Sequence, residues 1–295
     1  MKGQFKAAFS IADVVIALKT PFPITVSDKF RPFSTQLPSD YIVEFIEVEE
    51  LPQFTLQKIY EGTAFDVVTD KKRDYLRRFR DRLRDEKIYA EGFYDWEKHR
   101  IKIQYVSGGV QNVNHTDGAF FHIAWEDMML RKKRLIIHAC CVAAGTDGIL
   151  FSGPSGIGKS TQGNLWCRHE RADLINGDRP ILYKKAGVWT AFGSPYAGSS
   201  KCYVNESIPV RAIVMLRQAK NCSIRRLKAA DAFQKVFAQL AVSTWNPECV
   251  STVCELAEQM VMEVPVYEMY CTPDKNAVEL LKNTLQQEGQ YESKP

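Results

Sequence analysis

Residues 153–160 constrain the fold of this 295-residue chain more than any other segment, because they read Gly-Pro-Ser-Gly-Ile-Gly-Lys-Ser. This is the pattern G-x-x-x-x-G-K-[ST], which is typical of a phosphate-binding P-loop. An apolar strand, 149–151, leads into the motif and a helical stretch, 161–169, follows it, as in other P-loops. The simpler alternative is a glycine-rich turn before a helix, although a chance match is on the order of one in a hundred.

The residues of this motif have distinct tasks in phosphate binding. The glycines permit backbone torsions that other residues avoid, so that amides can point at a phosphate near a helix N-terminus. Lys159 would place its charge on the β- and γ-phosphates, the Ser160 hydroxyl would ligate Mg²⁺, and Thr161 would contact the α-phosphate. The predicted cofactors are ATP and Mg²⁺, and the predicted nucleotide-binding residues are Gly153, Ser155, Gly156, Ile157, Gly158, Lys159, Ser160 and Thr161.

A carboxylate for Mg²⁺ is the second requirement of phosphoryl transfer from MgATP. Asp178 fits this requirement, because it follows the short predicted strand 173–175 in the segment Asn-Gly-Asp. The predicted metal ligands are therefore Ser160 and Asp178. The alternative is that Asp178 is only a turn residue, since Asn, Gly and Asp are all common in turns.

Further motifs follow in an order that is familiar from a known family. From about His138 to the C-terminus the chain resembles the HPr kinase/phosphorylase superfamily, and more closely the short HPr-kinase-like proteins of bacteria. That superfamily shares its fold with the phosphoenolpyruvate carboxykinases. The matching segments are His138 in Ile-Ile-His-Ala, the P-loop 153–160, the segment 174–179, the segment 193–198, Asn-Glu-Ser at 205–207 and the apolar strand 212–216.

The resemblance implies an α/β fold with a carboxykinase-like P-loop kinase core, and MgATP-dependent phosphorylation of a hydroxyl. The implied catalytic residues are Asp178, His138 and Lys159. The paired aspartates of the family are Gly177 and Asp178 here, so one carboxylate is missing. Asp178 cannot easily both hold Mg²⁺ and act on the nucleophile, so His138 or Glu206 would take the second task, or the chemistry is slow or absent. The reverse phosphorylase activity is not predicted, because its signature segment is not recognisable.

The chain changes character near residue 118, which predicts a β-rich domain over 1–118 and a kinase domain over 119–295. Prolines punctuate residues 20–52 and exclude long helices there, while residues 71–87 fit either a helix or a strand. The predicted strands are 41–48, 65–69, 88–94, 100–106, 134–144, 148–151, 173–175, 181–184, 188–192, 210–216 and 264–270, and the predicted helices are 120–130, 161–169, 229–242, 247–262 and 273–285.

Composition excludes several other classes of protein. Hydrophobic residues make up 45% and charged residues 25%, which is ordinary for a globular chain and excludes disorder. The net charge of +4 is too small to indicate a nucleic-acid binder. Eight cysteines without a Cys-x-x-Cys pair predict a reducing compartment. Asp13 interrupts the apolar stretch 7–18, which we interpret as a first strand rather than a signal peptide, and we expect a cytoplasmic protein without membrane partners.

The acceptor of the phosphoryl group stays open between three hypotheses. The first is a Ser or Thr hydroxyl of a peptide or protein, held by the β-rich first domain. The second is a small metabolite such as free serine or a sugar. The third is a nucleotide-gated binding protein without phosphoryl transfer, which the missing carboxylate at Gly177 favours. The founding kinases of the family form hexamers, so the resemblance allows a homo-oligomer, although no motif in the sequence fixes an assembly.

Overall fold

The computed structural model describes residues 5–52, 56–69, 75–80 and 87–289, and over these residues the chain divides into two compact units. The units are Met1–Met128 and Met129–Pro295, so the division lies beyond the predicted boundary at residue 118. Helix α1, Thr116–His122, accounts for the difference, because Phe120 packs against Phe9 and Phe30 of the first unit at 5.6 and 4.4 Å between ring centroids.

The described residues of the first unit contain an eight-stranded sheet. Its strands are β1 (Phe5–Ile11), β2 (Val14–Thr20), β3 (Tyr41–Val48), β4 (Gln57–Glu61), β5 (Phe65–Thr69), β6 (Leu76–Arg80), β7 (Ile88–Asp95) and β8 (Arg100–Val106). They lie in the order β1-β2-β3-β8-β7-β6-β5-β4, with parallel pairs only at β2–β3 and β3–β8. Of the ambiguous stretch 71–87, residues 76–80 form β6, while 71–74 and 81–86 lie outside the described residues.

The apolar stretch 7–18 is a hairpin rather than a single strand. Strands β1 and β2 pair along their whole length, with Ile11 opposite Val14. Ala12 and Asp13 form the turn with φ angles of 49° and 57°, the left-handed geometry of a tight two-residue hairpin turn. Asp13 therefore interrupts the apolar run because it lies in a turn.

The second unit is a mixed α/β assembly around a nine-stranded sheet in its described part. The strands are β9 (Leu135–Ile136), β10 (Ala139–Ala144), β11 (Asp147–Ser152), β12 (Asp173–Asn176), β13 (Ile181–Lys185), β14 (Val188–Phe192), β15 (Ser207–Gln218), β16 (Ser223–Arg226) and β17 (Val266–Cys271). The main order is β12-β10-β11-β15-β14-β13-β9, and β17 pairs with β15 and β16. The helices of the chain after α1 are α2 (Trp125–Arg131), α3 (Lys159–Glu170), α4 (Ala229–Phe237), α5 (Pro247–Glu263) and α6 (Lys275–Gln287).

Both faces of this sheet are covered, which explains why β11 is buried at every position. Ile149 and Phe151 of β11 pack in one core with Trp166 of α3 and with residues of α6. Leu150, between them, packs in a second core with residues of α4 and α5. This alternation follows from the two-residue period of a strand, and it places β11 between two helical layers.

Two predicted elements are interrupted in the structure. The predicted strand 134–144 breaks at Ile137 and His138, because their amides donate to the carbonyls of Pro180 and Gln239 instead of continuing one ladder. The predicted helix 120–130 is divided into α1 and α2, since Ala124 adopts a left-handed φ of 53°. None of the described helices is long and apolar enough to cross a membrane.

Candidate functional site

The glycine-rich loop, which we define as residues 153–158, connects the buried strand β11 to helix α3. Gly156 and Gly158 have φ angles of 77° and 110°, which residues with a side chain rarely adopt. A Cβ atom at either position would meet nothing within 4 Å, so these glycines serve the backbone conformation rather than a tight contact. The loop therefore has the left-handed torsions and the open surface expected of an anion-binding backbone.

Lys159 turns its side chain back over this loop. Its Nζ donates to the carbonyl oxygens of Gly153 and Pro154, each at 3.1 Å, and the residue is only 7% exposed. Burial lowers the pKa of Lys159, while the negative charge of Asp178 opposes that shift. The ammonium group is thus held at the beginning of the loop, and Asp178 is the carboxylate that acts on it electrostatically.

The first turn of α3 presents two hydroxyl groups. Ser160 and Thr161 are both exposed and lie directly after Lys159, where the helix amides have no partner within the helix. Ser155 is exposed in the loop, and Ile157 is half-buried against the core beneath it. The Gln218 side chain, at the end of β15, lies 3.4 Å from the carbonyl oxygens of Gly156 and Ile157.

Sheet topology brings His138 and Asp178 to the same edge as the loop. Strand β10 lies between β11 and β12 and is antiparallel to both, so its beginning meets the ends of the two neighbours. His138 directly precedes β10, Asp178 follows β12, and the loop follows β11. The Ser152 hydroxyl donates to the His138 carbonyl at 2.8 Å, and the Ala139 amide donates to the Asp178 carbonyl at 3.0 Å.

The side chains of His138 and Asp178 form an accessible pair. His138 Nε2 lies 3.3 Å from Asp178 Oδ1, and the two side chains are 29% and 31% exposed. Arg179 Nε lies 3.6 Å from the other carboxylate oxygen. Burial lowers the pKa of His138, the positive charges of Lys159 and Arg179 lower it further, and Asp178 opposes them. The imidazole is therefore neutral at pH 7 and can accept a proton.

Asn176, which belongs to none of the predicted site residues, fixes the backbone of Asp178. Its Oδ1 accepts from the amides of Asp178 and Arg179 at 2.9 and 2.8 Å, and its Nδ2 donates to the Ser194 carbonyl at 3.2 Å. Asn176 is fully buried. The sequence signal was the Asn-Gly pair itself, since an asparagine side chain often bonds the backbone two residues on.

Gly177 has no room for a second carboxylate. A Cβ atom at this position would lie 2.3 Å from Ser200 Oγ, 2.5 Å from Ser200 Cβ and 3.1 Å from the Ala197 carbonyl oxygen. The same turn also approaches Asp178, because a Cβ at Gly198 would lie 2.9 Å from Asp178 Cβ. The turn 198–200 therefore occupies the space that a side chain at 177 would need.

Glu206, the alternative partner for Asp178, is exposed beside strand β15. Its carboxylate acts on Cys202, whose pKa is raised first by burial and then by neighbouring groups including Glu206. The contacts of the described residues instead give His138 as the neighbour of Asp178. The structure thus places Lys159, His138 and Asp178 at one edge of the sheet, with Ser160 and Thr161 on the adjoining helix turn.

Taken together, the fold and this site define a mixed α/β protein with a glycine-rich strand–loop–helix element beside a His–Asp pair. A solved structure of the HPr(Ser) kinase/phosphatase from Coxiella burnetii is similar to part of this chain, at 16% identity and a TM-score of 0.31. The similarity covers 52% of this chain and 93% of that chain. No family model and no curated protein sequence matches the chain.

Proposed function

We propose that this protein is a MgATP-dependent kinase that transfers the γ-phosphoryl group to a hydroxyl acceptor. The observation that carries the proposal is the meeting of the glycine-rich loop, Lys159 and the His138–Asp178 pair at one sheet edge. A glycine-rich turn with a merely structural lysine would not require an accessible histidine and carboxylate beside it. Phosphoryl transfer requires such a set, because it depends on positioning and on neutralising charge.

The residues at this edge fit a nucleotide and its cation. The loop amides and the first turn of α3 would hold the phosphates, with Lys159 on the β- and γ-phosphates. The exposed Ser160 hydroxyl and the partly exposed Asp178 carboxylate are oxygen donors of the kind that Mg²⁺ prefers. One or two protein ligands suffice, since Mg²⁺ keeps several waters and is otherwise bound by substrate phosphates. When bound, Mg²⁺ would neutralise charge that develops on the phosphate oxygens.

His138 would replace the carboxylate that Gly177 cannot supply. In the tautomer with the proton on Nε2, that nitrogen donates to Asp178, and Nδ1 accepts a proton from the attacking hydroxyl. The lowered pKa of His138 keeps the ring neutral near pH 7, which this task needs. Asp178 would then hold the imidazole in position as well as contributing to the cation site. A Ser or Thr hydroxyl of a peptide or protein is the first candidate acceptor.

A nucleotide-gated binding protein is the second candidate, and the observation that favours it is the filled space beside Gly177. In that case the loop would bind nucleotide and no phosphoryl group would be transferred. The two candidates differ only in turnover, so one assay can compare them.

The test is incubation of the whole protein with γ-labelled ATP and Mg²⁺, with separated protein and metabolite fractions as acceptors. We expect label transfer by the wild type, and a loss on the order of 100-fold in Lys159→Ala, because the transferred charge loses its partner. Lys220→Ala, a change at an exposed lysine outside the site, is the matched control and should leave transfer unchanged. Nucleotide binding without any transfer would support the binding protein, and no nucleotide binding would overturn both candidates.

A further inference from the structure

We infer that a cavity beside the glycine-rich loop binds an anionic group, a carboxylate or a phosphate, on the molecule that receives the phosphoryl group. We call this cavity the acceptor pocket, and the inference rests on the proposed kinase function. The pocket has a volume of about 290 Å³. Its polar lining comes from Arg217, Gln234, Lys235 and Gln239, and its apolar lining comes from Met215, Leu216 and Ala238.

The position of the pocket assigns it to the acceptor. Gly153 and Pro154, which form one wall, are the two residues whose carbonyls accept from Lys159 Nζ. In a P-loop the lysine reaches the β- and γ-phosphates, so this wall is the end of the loop from which the phosphoryl group would leave. The pocket therefore begins where an attacking hydroxyl would have to stand.

The pocket lining is also hydrogen-bonded to the backbone of His138. Gln239, which lines the pocket, accepts through its backbone carbonyl from the amide of His138 at 2.9 Å. The cavity thus lies between the start of the loop and the strand break that carries His138. An acceptor seated there would have the start of the loop on one side and the backbone of the segment that carries His138 close to Gln239.

The charge of the pocket comes from cations that share one buried carboxylate. Glu268 is 2% exposed, and its oxygens lie 2.9 Å from Lys235 Nζ, 2.6 Å from Arg225 and 3.4 Å from Arg217. These partners overcome burial and lower the pKa of Glu268 to about 2. Asp231 acts on Arg225, whereas Lys235 and Arg217 line the pocket, so positive charge remains in excess at the pocket wall.

Glu268 also restricts the side chains of the two lining cations, Lys235 and Arg217, before a ligand binds. Lys235 is about one quarter exposed and Arg217 about one half, so each can present nitrogen atoms to the pocket while remaining tied to Glu268. Long charged side chains lose considerable rotamer freedom on binding, and a pair already held by a buried carboxylate loses less.

The size of the pocket limits the occupant to a small acid or a single side chain. A volume of about 290 Å³ lies at the lower end of small-molecule sites. The anionic group could belong to a free hydroxy acid or to an acidic residue next to the hydroxyl of a peptide, and both present the same chemistry to Lys235 and Arg217. The transfer assay distinguishes these two sources of the anionic group. A direct titration tests whether the pocket binds an anion.

The binding test is a calorimetric titration of malonate and of inorganic phosphate into the full chain saturated with Mg²⁺ and a non-hydrolysable ATP analogue. The analogue occupies the loop, so any remaining anion site is a different one. We expect millimolar binding to the wild type and binding weaker by about tenfold in Lys235→Gln, since one charge-assisted contact is lost. Arg225 and Arg217 still satisfy Glu268 in this variant, which protects its fold.

Two further variants make the outcome decisive. Ala238→Trp fills the pocket without removing charge and should abolish anion binding. Lys228→Gln removes an exposed charge at the N-cap of the same helix, α4, and should change nothing. Equal binding in the wild type, Lys235→Gln and Ala238→Trp would overturn the pocket, as would no binding to the wild type. If the nucleotide analogue itself did not bind, the proposed function would fail, while the malonate titration would still test the pocket.

The source of the anion is tested with γ-labelled ATP and two kinds of acceptor, glycerate and a serine peptide flanked by glutamate or by glutamine. Label on glycerate, or on the glutamate peptide in preference to the glutamine peptide, supports the pocket and names its source. That preference should be lost in Lys235→Gln. Transfer that ignores acceptor charge in both proteins would contradict the inference while leaving the kinase function standing.

Discussion

Each of the two units contains a histidine whose pKa is lowered, but the surroundings of the two residues indicate different roles. In the first unit, His122 is fully buried, its Nδ1 lies 2.6 Å from the Gly118 carbonyl oxygen and its Nε2 lies 2.8 Å from the Tyr89 hydroxyl. In the second unit, His138 is nearly one-third exposed, and its Nε2 faces an equally accessible carboxylate. A lowered pKa thus accompanies both a satisfied core residue and a candidate catalytic group.

The charged side chains of the two units differ in accessibility to a ligand in the same way as the two histidines. In the first unit, Arg77 and Asp127 are buried together at 2.7 Å, and the guanidinium also stacks over Phe65 at 4.4 Å. In the second unit, Lys159 is buried but turned onto the open loop, and Asp178 remains accessible beside it. A titratable group with a shifted pKa indicates a functional site only when a ligand can reach the group and when several such groups lie close together.

Among the substitutions that test this comparison of the two units, we expect the largest effect on activity at Asp178. We predict that Asp178→Asn lowers Mg²⁺-dependent phosphoryl transfer on the order of 100-fold, because it removes the charge that would face the cation. Nucleotide affinity, measured by titration without Mg²⁺, should change far less. In the first unit, Asp127→Asn should leave transfer unaltered per folded molecule, since Asp127 is buried in an ion pair with Arg77. Full activity in Asp178→Asn would contradict the assignment of the metal ligand.

The two histidines should respond to pH in different observables. The pKa of His122 is lowered to about 4, so the unfolded chain binds a proton before the folded chain does. Stability is therefore complete above pH 6.5 and falls as the pH decreases from 6.5 towards 4, by about 3 kcal/mol in total. Urea unfolding of the wild type and of His122→Gln tests this, because the variant should lack that dependence. An identical pH dependence in both proteins would refute the buried neutral state of His122.

His138 should instead govern the pH dependence of transfer. Its pKa is lowered, so the neutral base form persists below pH 6.5, and activity should decline only at more acidic pH. In His138→Gln the rate should be lower throughout, and this acidic limb should be absent. Comparison with the variant separates the titration of His138 from that of MgATP, which both proteins share. An unchanged acidic limb in the variant would exclude His138 as the base.

The smallest effect concerns the space beside Gly177. We predict that Gly177→Asp does not restore a second carboxylate to the site and destabilises the protein by about 2 kcal/mol, because its side chain overlaps Ser200. Gly177→Ala, which adds only the Cβ, should lose a similar amount, and Gly177→Asp combined with Ser200→Gly should recover part of it. Thermal unfolding of the four proteins measures these differences. If Gly177→Asp were as stable as the wild type, the turn 198–200 would have to move aside at little cost, which would contradict the prediction.

The local part of the site was predictable from the sequence, whereas its assembly was not. Strand β11, the glycine-rich loop and α3 are specified by neighbouring residues, since the apolar run, the glycines and the helical stretch adjoin one another. The break at His138 depends on hydrogen bonds to Pro180 and Gln239, which lie far along the chain. No local pattern records such partners, so the predicted strand continued through the break.

The side-chain contacts within the site were likewise not predictable from local sequence patterns. Asp178 was assigned from its place after a strand, but its approach to His138 depends on β10 lying between β11 and β12. Ser200, which fills the space beside Gly177, stands in a segment without any motif of its own. Glu206 was an equally good partner in the sequence, because composition and order do not distinguish an exposed carboxylate from one beside the histidine.

The central claim is that the glycine-rich loop and the His138–Asp178 pair bind one metal–nucleotide complex. The most direct measurement is NMR of the histidine rings with Mn²⁺ and ATP bound, because a paramagnetic ion broadens nearby signals. His169, in the last turn of α3, is the internal reference, since ten residues of helix place it about 15 Å from Lys159. The account predicts strong broadening of the His138 signals and much weaker broadening of His169. An unbroadened His138, or equal broadening of the two, would contradict it.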